Sequence, residues 1–149
     1  MANKKVKKIK NPWDQCKKCL PAKCCTYFAL EVDEPESRKD YDAMLWQIAH
    51  QGVSFYIYRK RWHIMMETVC NFLTADNKCG IYDTRPSICK EHSIETCEYT
   101  GEDYGFSEHF KTYEELLLWI NDNTRYRFKY KLMKVGKHPH KMEPVAASA

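Results

Sequence analysis

No run of about 18 apolar residues occurs in this 149-residue chain, so the sequence offers no membrane-spanning helix. The longest apolar piece, near Leu116–Ile120, is far too short. Five lysines fall within Met1–Lys10, yet Asn11, Pro12, Trp13 and Asp14 follow where a secretory signal peptide would carry its apolar segment. A cytoplasmic location is therefore expected. The chain has no glycine-rich phosphate loop and no Gly-x-Ser-x-Gly nucleophile elbow. Its one notable carboxylate pair, Glu114-Glu115, belongs to a helix start, and no internal repeat is present. Whether the protein is an enzyme is left open by these absences.

What is present in quantity is cysteine, with eight residues in two groups. The first is Cys16-x2-Cys19-x4-Cys24-Cys25 and the second is Cys70-x8-Cys79-x9-Cys89-x7-Cys97. Small size does not demand them. Apolar residues make up 44% of the chain, and a domain of this length buries about 70% of its unfolded surface. In a reducing compartment such a pattern points to metal or redox chemistry over structural disulfides. A Cys-x2-Cys pair lets one tight turn aim two sulfurs at one ion, while nearby N–H groups donate to the thiolates. An isolated cysteine reads as a small buried hydrophobe, but eight in two clusters read as zinc or iron ligands. In extended backbone the adjacent Cys24 and Cys25 would point to opposite faces. That suits two sites, a multinuclear cluster, or one ligand beside one packed thiol. Four plus four cysteines fill two tetrahedral sites, whereas a single site leaves about four spare.

The expected fold class is α+β: one small domain over residues 13–135 with helices, a short β-hairpin and metal-organised loops. A disordered basic segment 1–12 precedes it and a flexible tail 136–149 follows. Tyr27–Val32 reads as a strand. Asp33 and Pro35 signal a helix start, and Tyr41, Met44, Leu45 and Ile48 recur at helical spacing up to about Gln51, where Gly52 stops it. Val53–Thr68 reads as a hairpin turning at Arg59-Lys60-Arg61. Cys70–Cys97 is irregular, with Pro86 in the first turn of a short helix through about Glu91, and Gly101 and Gly105 mark another loop. Thr112-Tyr113-Glu114-Glu115 is a capping box. It opens a helix with Leu116, Leu117, Ile120 and then Tyr126 or Phe128 on its apolar stripe, and with basic residues at its C-terminal end.

The formal net charge is +4, and the positive charge sits at the two ends. Besides the N-terminal lysines, Arg125, Arg127, Lys129, Lys131, Lys134, Lys137 and Lys141 stand near the C-terminus against Glu143. Basic ends around an acidic middle are read as solvated tails in preference to a nucleic-acid surface. A protein partner is left open, nucleic acid is disfavoured, and no membrane association is expected.

The second group carries a specific signature. Cys70-Asn71-Phe72-Leu73 is followed by Cys79-Gly80-Ile81-Tyr82-Asp83-Thr84-Arg85-Pro86-Ser87-Ile88-Cys89. With the Cys16–Cys25 cluster, this resembles the YkgJ family of cysteine-cluster proteins, a zinc- or iron-chelating domain of the C-x2-C-x2-C-C type. Four residues, Leu20 to Lys23, separate Cys19 from Cys24 where the family pattern has two. The resemblance implies a metal cluster of Cys16, Cys19, Cys24, Cys25, Cys70, Cys79 and Cys89, to which this chain's spacing adds Cys97. It names no catalytic residue.

Three further residues bear on the site. His92 stands three residues after Cys89, a ligand-like spacing weighed against a polar histidine near a helix terminus. His63 should face away from Trp62 and Ile64 and be exposed. Arg85 could donate to cluster thiolates or pair with Asp83. The functional expectation is a metal-binding protein holding zinc, iron or an iron–sulfur cluster, acting as an accessory or structural module. The alternative is an iron–sulfur redox protein or enzyme that modifies a protein or small molecule.

Overall fold

The computed structural model describes Cys19 and residues 22–92 and 105–129. The expected disordered ends, Cys16, Cys97 and the loop at Gly101 lie outside these residues. Within them the chain is a single α+β unit in which helices pack on one face of a four-stranded antiparallel sheet.

The sheet comprises β1 (Tyr27–Val32), β2 (Val53–Tyr58), β3 (Arg61–Glu67) and β4 (Phe106–Phe110), in the order β1-β3-β2-β4. The β2–β3 hairpin forms as expected, with Tyr58 opposite Arg61 and only Arg59 and Lys60 between them. Both turn residues have positive φ, 50° and 66°, as a two-residue hairpin of matching twist requires. Here Arg and Lys occupy positions usually held by Asn-Gly, at a cost of about 1 kcal/mol each. The Arg59 guanidinium lies 5.0 Å from the centre of the Tyr58 ring.

Helix α1 (Arg38–Ile48) begins later than the Asp33–Pro35 signal suggested. Ser37 is the cap: its hydroxyl accepts from Asp40 N–H at 3.2 Å, and the Asp40 carboxylate accepts from Ser37 N–H at 2.8 Å. This reciprocal pair satisfies two free N–H groups at once, which Asp33 does not do from its place four residues earlier. Tyr41, Met44, Leu45 and Ile48 are buried as the periodicity predicts. The helix ends at Ile48, and Gly52 supplies the left-handed turn (φ +78°) into β2. A Cβ there would stand 3.1 Å from the Glu67 carbonyl oxygen.

Strand β4 was not evident in the sequence. A bulge between Ile57 and Tyr58 explains why: Phe110 pairs with Phe55 and His109 with Tyr56, but Phe106 pairs with Tyr58 after a skipped residue. Phe110 thus joins the core beside Trp62, whereas Phe106 stacks on Tyr56 on the opposite face. The extra residue breaks the alternation that identifies a strand.

Helix α2 is the short segment Ser87–Glu91, with Pro86 capping it from just outside its first turn. Helix α3 (Tyr113–Asn123) starts at the Thr112–Glu115 capping box and buries Leu116, Leu117 and Ile120. It stops before Tyr126 and Phe128 and carries no basic residue in its last turn, so the expected charge–dipole arrangement is absent. Those two aromatics still pack on the core, from extended chain. The Tyr126 hydroxyl donates to Glu36 O at 2.7 Å, and Asn121 exchanges hydrogen bonds with the Phe128 backbone. Phe55, Leu116 and Ile120 are fully enclosed, with Trp62 stacked on Phe110 and edge-on to Trp119.

Candidate metal centre

Strand register assembles the two cysteine groups. Tyr27 pairs with Glu67, so the chain entering β1 and the chain leaving β3 emerge side by side. Cys25 precedes the first of these strands and Cys70 follows the second. Cys70 N–H donates to Cys25 O at 2.7 Å, extending the ladder beyond the sheet.

Each group is shaped by a tight turn. Lys23–Cys25 form one turn of 3-10 helix, with Cys25 N–H donating to Ala22 O at 2.8 Å. Cys70–Gly80 folds back on itself: Gly80 N–H donates to Phe72 O at 2.8 Å, and Leu73 bridges Cys79. Asn77, with φ 64°, makes the reversal possible. Its side chain then clamps the two groups together. Oδ1 accepts from Ala22 N–H at 2.9 Å, and Nδ2 donates to the Cys19 carbonyl. The sequence signal for this role is the tolerance of asparagine for the left-handed region.

Cys24, Cys25, Cys70 and Cys79 form one electrostatic neighbourhood. Burial, followed by Cys24 as charge and hydrogen-bond partner and then Cys70 and Cys79, pushes the Cys25 thiol up to about 12. The direct Cys24–Cys25 thiol contact corrects the expectation of opposite-facing neighbours, because the backbone there is a 3-10 turn and not extended. Among the described residues, no three His, Cys, Asp or Glu side chains stand ready-arranged around one metal position. The donor chemistry nonetheless fits a soft cation. The Cys25 thiol, which resists ionisation among its neighbours, loses that resistance when positive charge sits beside it.

The remaining candidates differ in exposure. Cys19 is buried, with its carbonyl held by Asn77, while Cys89 is exposed on α2. His92 caps the end of α2 and is exposed, the polar-terminus position weighed for it. His63 is half-buried, not exposed, because its ring stacks on Tyr56 at 4.7 Å. Among the described residues Arg85 forms no ion pair with Asp83. Its guanidinium lies over the Tyr82 ring at 3.9 Å, and its Nε is buried without a hydrogen-bond partner among the described residues.

The model of the CxxCxxCC family, described as a "putative zinc- or iron-chelating domain", matches residues 15–114. The chain belongs to this family. All eight cysteines and all four strands fall inside the matched CxxCxxCC span. No curated protein and no solved structure matches the chain. No helix among the described residues is long and apolar enough to cross a membrane.

Proposed function

We propose that the protein is a metal-binding module in which Cys24, Cys25, Cys70 and Cys79 grip zinc or iron. Cys16, Cys19, Cys89 and Cys97 supply the remaining sulfurs of the site or of a second one. The observation that carries this reading is the convergence on Cys25: the Cys70 amide holds its carbonyl, while three other thiols act on its own. The Cys70–Cys25 backbone hydrogen bond holds the two turns side by side, and the thiols close on the ion as it binds. The metal then ties the chain before β1 to the chain after β3 and organises the loops between Cys70 and Cys89. A bound zinc serves as a structural tie, whereas an iron–sulfur cluster adds electron-transfer capacity. The YkgJ-type reading rests on the Cys70–Cys89 signature, and a reducing cytoplasm keeps the thiols available.

The test is anaerobic purification followed by measurement of zinc, iron and sulfide per chain. Stoichiometric zinc without colour supports the structural module. Iron with sulfide and visible absorption supports the redox or enzymatic alternative. A chain that retains neither metal under these conditions contradicts both readings.

A further inference from the structure

The helices cover one face of the sheet, and no described element covers the other. On that open face lies a cleft of about 580 Å³, within the usual range for small-ligand sites. Met65, Tyr27 and Phe106 give it apolar walls. Lys23 enters from the cysteine-bearing turn and Lys111 from the end of β4, and no ion pair among the described residues engages either ammonium. His109 stands in the wall. Its Nε2 is buried with no hydrogen-bond partner among the described residues. An unsatisfied buried nitrogen costs about 1–3 kcal/mol, so it calls for an explanation. Burial, with Lys111 nearby, lowers the His109 pKa and keeps the imidazole neutral at physiological pH, free to share one hydrogen bond. Glu67 is the carboxylate lining the cleft.

We propose that this cleft binds a small organic anion, a carboxylate or phosphate ester with an apolar body, between Lys23, Lys111 and His109. The ammoniums take the charged head, the His109 ring turns to present its buried Nε2 to the ligand, and the apolar wall takes the body. Glu67 opposes the anion and limits its affinity. Strands β2, β3 and β4 build most of the cleft, so its formation does not rest on the metal centre, although Lys23 places the ligand next to Cys24 and Cys25.

The experiment titrates benzoate, phenyl phosphate, inorganic phosphate and benzyl alcohol into the isotope-labelled full chain, as purified and after chelation, following amide shifts. Benzoate or phenyl phosphate should saturably shift amides around Thr26, Ser54, Met65 and Lys111 in both preparations. The tighter of the two identifies the head group. Lys111→Met and His109→Phe should each weaken binding by about fivefold. Glu67→Gln should tighten it at least about twofold. Lys111 is exposed, so its variant keeps the fold. Three results would overturn the proposal: no saturable shift with either aromatic anion, equal binding of benzyl alcohol, or affinity indifferent to both Lys111→Met and Glu67→Gln. Inorganic phosphate binding as tightly as phenyl phosphate would remove the apolar subsite.

Discussion

The sheet with its two long helices encloses Phe55, Leu116 and Ile120 completely and stacks Trp62 against Phe110. The loops that carry the thiols are built otherwise. From Glu67 to His92 no residue is buried, and Val69, Phe72 and Ile88 are 60%, 52% and 74% exposed. The first region is stabilised by apolar burial, which is non-directional and tolerant of detail. The second is held by backbone hydrogen bonds, the Asn77 clamp and neighbouring sulfurs. A segment with so little apolar burial gains little to offset its ordering entropy. On the proposed reading, a metal shared by its thiols supplies the missing stabilisation.

This contrast can be broken in either half. The largest effect is expected from Cys25→Ser combined with Cys70→Ser: metal retention should fall at least about a hundredfold while the sheet still melts cooperatively. Metal analysis with far-ultraviolet circular dichroism would show both. Conversely, Leu116→Ala empties a fully enclosed core position and should cost about 2–5 kcal/mol in denaturant unfolding. Asn77→Ala leaves the Ala22 amide and the Cys19 carbonyl without their partner. It should cost about 1–3 kcal/mol, with weakened metal affinity as its distinguishing signature.

Between pH 8 and 6, acid should act chiefly on metal loading in the thiol half. A thiol raised to about 12 is protonated in the metal-free chain at neutral pH, so loading must expel that proton. Metal affinity should then fall about tenfold per pH unit of acidification from Cys25 alone, between pH 8 and 6. The sign differs for the metal-free chain. The raised folded-state value favours folding below the ordinary thiol pKa, and this contribution is lost as pH climbs towards 12. Competition titrations at several pH values would measure the slope. The smallest effect concerns the hairpin turn: Lys60→Gly relieves a left-handed lysine and should raise stability by about 1 kcal/mol in thermal unfolding, without changing metal content.

The apolar half was readable because its signals are periodic. Tyr41, Met44, Leu45 and Ile48 mark a helical face, and the alternation in Val53–Tyr58 marks a strand, wherever the chain continues. Strand β4 escaped because its bulge shifts Phe106 to the face opposite Phe110. The start of α1 was misplaced because Asp33 and Pro35 mimic a cap that Ser37 and Asp40 actually build. The cysteines themselves were plain in the sequence, and their spacing suggested a site. Their meeting was not readable, since it depends on the pairing of Tyr27 with Glu67, a contact between residues far apart in the chain. Nor could spacing show that Cys24 and Cys25 lie on a 3-10 turn, where their thiols touch.

The most direct measurement is amide hydrogen exchange on the metal-loaded and chelated chain, compared residue by residue. Chelation should speed exchange at Cys25, Cys70, Leu73 and Gly80, whose N–H groups shape the thiol loops, while Leu45, Phe55, Ile64 and Ile120 keep their protection. Equal protection of the loops with and without metal would contradict the account, because the thiol region would then be ordered by something other than the ion.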